Sequence, residues 1–130
     1  MASKYLLDAS ALYPLILRFR ERIFTASRRL AILDLTFYEV GNILWKQYTR
    51  GKIARLKEAA EAFEEILNSL EKLKAEDFTG ILKTAASENL TFYDAAYIHT
   101  ARKQQLTLVS ADREILKKYP KAIPPEKVKI

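Results

Sequence analysis

The segment from residue 91 to residue 112 constrains the fold more than any other part of the chain, because it predicts a helix followed directly by a buried strand. Thr91 is a favourable N-cap, and the carboxylate of Asp94 lies three residues further on. Leu106–Val109 is a short apolar run of the kind that parallel sheets bury. An acid, Asp112, follows this strand almost at once. Since ligands of open α/β sheets bind at the carboxyl ends of the strands, the segment predicts an α/β fold with a site at that edge.

The composition is that of a single globular domain spanning residues 1–130. Hydrophobic residues make up 49% and charged residues 29% of the chain, which are ordinary values for a water-soluble protein. The absence of cysteine excludes disulfides, thiolate catalysis and cysteine-based zinc sites. No apolar run approaches the roughly 20 residues that span a bilayer, and the start of the chain lacks a signal-peptide pattern. We therefore expect a cytoplasmic protein with no membrane partner.

The formal net charge of +6 is unevenly distributed along the chain. Residues 1–57 contain 11 basic and 4 acidic residues, and residues 91–130 contain 8 and 4, whereas residues 58–90 contain 3 and 8. The two basic segments predict a surface that contacts phosphates. An arginine-rich stretch over residues 18–29 is one candidate for that contact, although a solvated helix end and loop explains it equally well.

Two further strand–helix units precede the segment described first. Lys4–Leu7 predicts a short strand, which ends at Asp8 and leads into a helix. Ala31–Leu35 predicts a second buried strand, and a helix from Thr36 to Tyr48 follows it. The alternation of strands with helices favours a central, mostly parallel sheet that helices cover.

The middle of the chain predicts an insertion into this α/β body. Residues 53–75 form the longest amphipathic segment, with apolar residues every three or four positions, and residues 79–88 predict a second helix. Together they predict a helical hairpin over residues 53–88. We expect its apolar stripe to extend beyond the domain and meet a protein partner; the alternative is that the stripe packs within the hairpin and on the helix around Trp45. Near the end of the chain, residues 127–130 predict an edge strand.

Four acids occupy corresponding positions at predicted strand ends and helix starts: Asp8, Glu39, Asp94 and Asp112. Parallel strands would bring these acids to one edge of the sheet. Two unit charges about 4 Å apart repel by on the order of 4 kcal/mol at an effective dielectric near 20, so the cluster requires protons or a divalent cation. Oxygen ligands without histidine or cysteine favour Mg²⁺ or Mn²⁺, and the basic surface makes a phosphodiester the expected substrate. Any one of these acids, taken alone, is explained equally well as a helix cap.

Four short motifs resemble those of PIN domains in order and spacing: Leu6–Ser10, Tyr38–Leu44, Tyr93–Ala101 and Leu108–Glu114. The length of the chain and its predicted helical hairpin make it most similar to the VapC-type toxins of bacteria and archaea. The resemblance covers nearly the whole chain. It implies a three-layer PIN-like α/β fold whose central sheet has the strand order 3-2-1-4-5.

The resemblance also implies an activity, partners and a site. Proteins of this type cleave RNA with Mg²⁺ or Mn²⁺, form homodimers and are inhibited by a small antitoxin protein. By position, the resemblance assigns metal binding and catalysis to Asp8, Glu39, Asp94 and Asp112, and supporting polar roles to Ser10, Asn42 and Ser110. The expected function is therefore that of a metal-dependent endoribonuclease, the toxin of a toxin–antitoxin pair.

Other functions remain open at this stage. A nuclease of RNA maturation would share these residues, and so would a catalytically silent PIN-like module that binds RNA or protein. A phospho-receiver domain also clusters acids around Mg²⁺, but it would require paired acids after the first strand and a lysine after the last strand. The sequence shows neither feature.

Two further groups of residues are expected to lie outside the site. His99 is the only histidine, and its position five residues after Asp94 predicts that it points away from that acid, on a polar helix face. The second group is aromatic and is expected to divide between the core and an interface: Phe37, Tyr38, Trp45 and Tyr48.

Overall fold

The fold is a four-stranded sheet with helices on both faces, as seen in a computed structural model that describes residues 4–130. The strands are β1 (Tyr5–Leu7), β2 (Leu30–Leu33), β3 (Glu71–Leu73) and β4 (Thr107–Val109). The helices are α1 (Ala9–Phe19), α2 (Arg22–Thr25), α3 (Asp34–Thr49), α4 (Leu56–Ser69), α5 (Phe78–Glu88), α6 (Phe92–Gln104) and α7 (Arg113–Lys118). Within the described residues, no helix is both long enough and apolar enough to cross a membrane.

The sheet has the order β3-β2-β1-β4, and all three strand pairs are parallel. The predicted α/β class and parallel sheet are therefore confirmed, but the predicted order 3-2-1-4-5 is wrong in its last strand. Residues 127–130 do not form an edge strand; instead Ile123 makes an isolated bridge to Val109 beside β4. Pro124 and Pro125 follow Ile123 directly, and proline has no N–H with which to extend a ladder.

Both faces of the sheet are buried, which explains why β1, β2 and β4 are almost entirely apolar. Side chains of Leu7 and Ile32 pack on one face, in a core that α1, α2, α3 and α4 complete. Side chains of Leu6 and Leu33 pack on the opposite face, against α5, α6 and α7. The three-layer arrangement agrees with the prediction.

The segment predicted as a helical hairpin is a helix–strand–helix unit instead. Helix α4 ends at Ser69, and the chain then forms β3, which pairs with β2 at the edge of the sheet. Ile66 and Leu67 of α4 pack on one face of the sheet, whereas Ile81 of α5 packs on the other. Because the two helices lie on opposite sides of the sheet, they do not form an arm, and much of the apolar stripe of α4 is covered by the domain itself.

Helix α3 begins earlier than predicted. It starts at Asp34 rather than Thr36, since the Oγ1 atom of Thr36 accepts a hydrogen bond of 3.0 Å from the backbone N–H of Leu33 and fixes the first turn. Glu39 consequently lies in the second turn of α3. Glu39 and Asn42 lie on the side of α3 that faces the carboxyl edge of the sheet.

The aromatic residues expected in the core and an interface are all exposed. Their exposed fractions are 55% for Phe37, 72% for Tyr38, 60% for Trp45 and 46% for Tyr48. The expectation that part of this group fills the core is therefore wrong. Its role in an interface stays a prediction.

Candidate metal centre

The four acids singled out in the sequence line one cleft at the carboxyl edge of the sheet. The cleft has a volume of about 240 Å³. Asp8 follows β1, Glu39 lies in α3, Asp94 lies in the first turn of α6, and Asp112 precedes α7. Ser10, Asn42 and Tyr97 also line the cleft. Four separate segments of the chain thus contribute carboxylates to one place.

Asp8 is the most deeply buried of these acids, with 5% of its surface exposed. It caps α1, and its Oδ1 atom accepts hydrogen bonds from Ser10 Oγ at 2.6 Å and from the backbone N–H of Ala11 at 3.0 Å. Burial raises the pKa of Asp8 to about 6, hydrogen bonds from Ser10, Ser110 and Ala11 oppose the shift, and the charge of Glu39 adds to it. Asp8 therefore acts as a helix cap and also carries a charge that a nearby cation would stabilise.

Ser10 and Ser110 join the ends of β1 and β4. Their hydroxyl oxygens lie 3.3 Å apart. Ser10 Oγ accepts a hydrogen bond of 2.9 Å from the backbone N–H of Ala111, and Ser110 Oγ accepts one of 3.0 Å from that of Asp112. These bonds hold the two loops that carry Asp8 and Asp112 against each other, which gives the two serines a structural reason for their positions.

A tyrosine that the sequence analysis did not single out fixes the orientation of Glu39. The side chain of Tyr97 is buried, and its hydroxyl donates a hydrogen bond of 2.6 Å to Glu39 Oε1. The same hydroxyl lies 2.8 Å from Thr36 Oγ1. Burial raises the pKa of Glu39, the bond from Tyr97 lowers it, and the charge of Asp94 raises it. Tyr97 lies three residues after Asp94, so helical spacing was the signal that could have identified it.

Asp94 and Asp112 complete the wall of the cleft. The predicted N-cap is present, since Thr91 Oγ1 accepts a hydrogen bond of 3.1 Å from the backbone N–H of Asp94. Burial raises the pKa of Asp94, the charge of Asp112 raises it further, and Thr91 and Lys118 lower it. Asp112 is exposed and caps α7 by accepting a hydrogen bond of 2.8 Å from the backbone N–H of Glu114.

The acids act on one another electrostatically around the cleft. Glu39 raises the pKa of Asp8, and Asp94 raises that of Glu39. Asp112 in turn raises the pKa of Asp94. Each shift has burial as its larger cause, so the site combines desolvation with like-charge repulsion. Both effects favour a bound cation.

The chemistry of the cleft fits a divalent cation that binds oxygen. Carboxylate oxygens are the ligands that Mg²⁺ and Mn²⁺ prefer. Within residues 4–130, no three acidic or histidine side chains converge into a ready-made metal cage. Mg²⁺ does not require one, because it usually keeps several waters and binds proteins through one or two carboxylates.

Two other groups of polar residues lie away from the cleft. The Nε2 atom of His99 is 3.1 Å from Oδ2 of Asp77, and the pair lines a different cavity near the start of α5. The arginine-rich stretch begins at the C-terminal end of α1, and the 11 residues of that helix extend about 16 Å from Asp8. These arginines therefore follow the end of α1 that is farther from the carboxylates, and they lie near the start of β2 at the opposite edge of the sheet.

Comparison with known proteins identifies the family to which this arrangement belongs. A sequence profile of the PIN domain family matches residues 5–122, a range that includes all four acids. The chain belongs to the PIN domain family. The expected family is therefore confirmed.

Two relatives from Pyrobaculum aerophilum are similar to this PIN domain over nearly their whole length. Exonuclease VapC9 is 39% identical over 123 residues, which cover 95% of this chain and 91% of VapC9. Ribonuclease VapC3 is 34% identical over 131 residues, which cover 94% of this chain and 99% of VapC3. Both relatives are named as nucleases.

Solved structures share the fold. The crystal structure of PAE2754 from Pyrobaculum aerophilum has a TM-score of 0.88 at 40% identity and covers 97% of this chain and 86% of that one. DNA-bound VapBC from Salmonella typhimurium has a TM-score of 0.63 at 18% identity, with coverages of 94% and 96%. A toxin–antitoxin complex from Klebsiella pneumoniae has a TM-score of 0.61 at 17% identity, with coverages of 96% and 100%. At such low identity, the last two show that the fold is shared and no more.

Proposed function

We propose that this PIN domain is a metal-dependent nuclease that hydrolyses the phosphodiester bonds of RNA. The observation that carries the proposal is the single cleft into which four segments bring carboxylates, three of them with pKa values raised by burial and by a neighbouring acid. A fold without a functional need for these charges would gain stability by losing one of them. The names of the relatives, one an exonuclease and one a ribonuclease, support the same class of reaction.

PIN-domain ribonucleases generally depend on a divalent metal, and we assign Mg²⁺ or Mn²⁺ to this site. The residues that would hold the metal are Asp8, Glu39, Asp94 and Asp112: one or two of these carboxylates would bind it directly, and the others would bind it through its water ligands. A bound divalent cation supplies Lewis acidity and neutralises negative charge on the phosphate. The other residues of the cleft hold the carboxylates in place: Tyr97 orients Glu39, and the two serines fix the loops after β1 and β4.

We propose in addition that the protein is the toxin of a toxin–antitoxin pair, as its VapC-named relatives suggest. A small antitoxin requires a docking surface, and a groove of about 320 Å³ runs between α3 and α4. Apolar and charged residues line this groove: Phe37, Val40, Leu44, Phe63, Lys57 and Glu64. An apolar floor with charged residues beside it suits the apolar face of an amphipathic helix.

The activity is tested by incubating the protein with a pool of structured RNAs in Mn²⁺ or in EDTA and mapping the new ends. We expect cleavage in Mn²⁺ alone, and a loss of more than about a hundredfold in Asp8→Asn and Asp94→Asn, since even the partners of metal ligands cost about 10- to 100-fold. Asp112→Asn should show the smallest loss of the acid variants. Asp34→Asn is the matched control, because Asp34 is an exposed acid at the same sheet edge that does not line the cleft.

Wild-type cleavage rates in Asp8→Asn or Asp94→Asn, or equal cleavage in EDTA, would contradict this assignment. The mode of cleavage is tested with a covalently closed circular RNA beside its linear form. We expect an endoribonuclease and hence cleavage of both forms. Cleavage of the linear form alone would instead indicate the exonuclease activity that the name of VapC9 describes.

A further inference from the structure

A second cavity adjoins the carboxylate cleft. It has a volume of about 400 Å³ and lies between α1, α3 and the residues that follow α3. Ala9, Ser10 and Ile43 line both cavities, so the two share a wall. The volume falls within the range of about 300–1,000 Å³ typical of small-molecule sites. A nucleic acid with one phosphate over the carboxylates would carry an adjoining nucleotide across this wall.

The walls of the second cavity are largely apolar. Pro14, Ile43 and Ile53 contribute aliphatic surface, and Tyr13 contributes an aromatic ring. The ring of Tyr13 stacks on that of Phe63, with centroids 6.1 Å apart and an angle of 8° between the planes, so its orientation is fixed. Tyr13 nevertheless remains 49% exposed. Apolar walls with a fixed aromatic ring match the flat faces of a nucleobase.

Polar groups in the same cavity match the edge of a base and its phosphate. The half-buried amide of Gln47 can both donate and accept hydrogen bonds, as the edges of bases require. Lys52 supplies a positive charge suited to phosphate. Pro14 has no N–H, so the carbonyl oxygen of Ser10 does not receive the usual helical hydrogen bond from it. Ser10 also lines the cavity.

We propose that this cavity is a nucleobase subsite, which holds the base of a nucleotide next to the cleaved phosphate and selects it through Gln47. The proposal rests on the nuclease function proposed above. A protein partner's side chain could also fill an apolar cavity. The shared wall with the carboxylates and the combination of an amide with a cation favour a nucleotide.

The subsite is tested by binding, apart from cleavage. Fluorescein-labelled hexanucleotide RNAs of adenine, cytosine or uracil are titrated into the Asp8→Asn variant in EDTA, where cleavage does not interfere. We expect the dissociation constants of the three RNAs to differ by about tenfold, the discrimination typical of one good amide–base contact. Adding Gln47→Leu should reduce this spread to about threefold or less, because leucine fills the space without hydrogen bonds.

Two further variants make the outcome decisive. Gln47→Glu keeps the acceptors but loses the donor, so it should change the order of preference among the three RNAs. Gln104→Leu alters an exposed glutamine on α6 that lines a different cavity, and it should keep the parental spread. All variants are checked for unchanged thermal unfolding.

An equal spread in Gln47→Leu, Gln47→Glu and Gln104→Leu would overturn the subsite, as would equal binding of the three RNAs by the parent protein. Neither result would affect the nuclease function, which depends on cleavage by the wild-type protein in Mn²⁺. The converse result is also possible: the protein could discriminate among the RNAs through Gln47 and yet, as wild type in Mn²⁺, cleave none of them. That result would contradict the proposed nuclease function and support the nucleobase subsite.

Discussion

At the scale of single residues, Asp8 couples the candidate site to the stability of the fold. Its carboxyl is buried, and its pKa is raised from 3.8 to about 6. Between these two values the folded state binds more protons than the unfolded state, so the free energy of unfolding falls as the pH rises. A shift of about two pKa units corresponds to about 3 kcal/mol.

We therefore expect Asp8→Asn to be more stable than wild type at pH 7 in EDTA, by on the order of 2–3 kcal/mol. The difference in the free energy of unfolding between the variant and the wild type should decrease towards pH 4, where the wild-type carboxyl is protonated in the folded state. Urea unfolding between pH 4 and pH 7 measures this difference, and Asp34→Asn should follow the wild type throughout. A difference in the free energy of unfolding that stays constant across this range would show that the charge of Asp8 does not cause it.

Tyr97 offers a second test at the same scale, because its hydroxyl stabilises the charged form of Glu39. Tyr97→Phe removes this hydrogen bond, so the pKa of Glu39 should rise and the acidic limb of the pH–rate profile should move to higher pH. We expect a loss of stability of about 1 kcal/mol and a lower rate below pH 7. Tyr5→Phe is the matched control, since the buried hydroxyl of Tyr5 bonds to the backbone of Lys129, away from the cleft. If the acidic limb of the pH–rate profile did not shift in Tyr97→Phe, the role of the Tyr97 hydroxyl would be purely structural.

At the scale of helices and strands, the sequence predicted the strands that are marked by a local run of apolar residues. Strands β1, β2 and β4 are apolar runs with acids or serines at their ends, and the sequence locates them to within about two residues. Strand β3 was missed, because Glu71–Leu73 has a largely exposed, polar sequence and continues the helical spacing of α4. It forms through pairing with β2, a contact between segments about 40 residues apart that no local signal specifies.

The same distinction applies to the candidate site. The positions of the four acids follow from parallel strands, since each acid lies near a strand end or a helix start. The bonds that orient them were not predictable, because they join residues far apart in sequence. Tyr97 reaches Glu39 across 58 positions, and Ser10 reaches Ser110 across 100.

The length of α1 also separates two charged surfaces, with consequences for RNA binding. Arg22 and Arg28 are exposed near the end of the molecule opposite the carboxylates. An RNA must therefore span about 16 Å to contact both ends of the helix. Short RNAs should be unaffected by these arginines, whereas long RNAs should bind them and release counterions.

We expect the double variant Arg22→Gln, Arg28→Gln to cleave a trinucleotide as wild type does but to raise KM for a long RNA. The slope of log K against log salt should decrease by about 1.4, since each single-strand phosphate contact contributes about 0.7. The control is Lys74→Gln, Lys83→Gln, which removes two exposed cations from the acidic segment. If the double arginine variant bound long RNA with the same salt dependence as wild type, the arginine stretch would not be part of the RNA-binding surface.

At the scale of the whole molecule, one helix presents an apolar stripe that the domain does not cover. Phe37, Gly41, Trp45 and Tyr48 follow one another along one side of α3 at spacings of three or four residues. Tyr38 extends the stripe, and its ring lies 5.3 Å from that of Phe37 in an edge-on arrangement. Continuous aromatic exposure of this kind is typical of protein interfaces. We propose a second copy of this chain as its partner, with α3 packed against α3.

Gly41 provides the test of this dimer. Glycine within a helix is less favourable than alanine by about 0.5–1 kcal/mol, and a Cβ atom at Gly41 would meet no atom of residues 4–130 within 4 Å, apart from the backbone of its own helix. No contact within residues 4–130 thus explains the glycine, whereas two helices that cross at Gly41 could approach closely. Gly41 and Phe37 also line the groove proposed above for the antitoxin, so dimerisation is measured on this protein alone. We expect Gly41→Leu to stabilise the monomer by about 0.5–1 kcal/mol and to weaken dimerisation by more than about tenfold.

Sedimentation equilibrium measures the dissociation constant, and thermal unfolding at low protein concentration measures the stability of the monomer. Ala86→Leu places the same side chain at an exposed position on α5 and should leave the dimer intact. A Gly41→Leu protein that dimerises as wild type does, or a wild-type protein that stays monomeric at all concentrations, would exclude α3 as the dimer interface. A monomer made less stable by the leucine would point instead to an unrecognised role of Gly41 within its own domain.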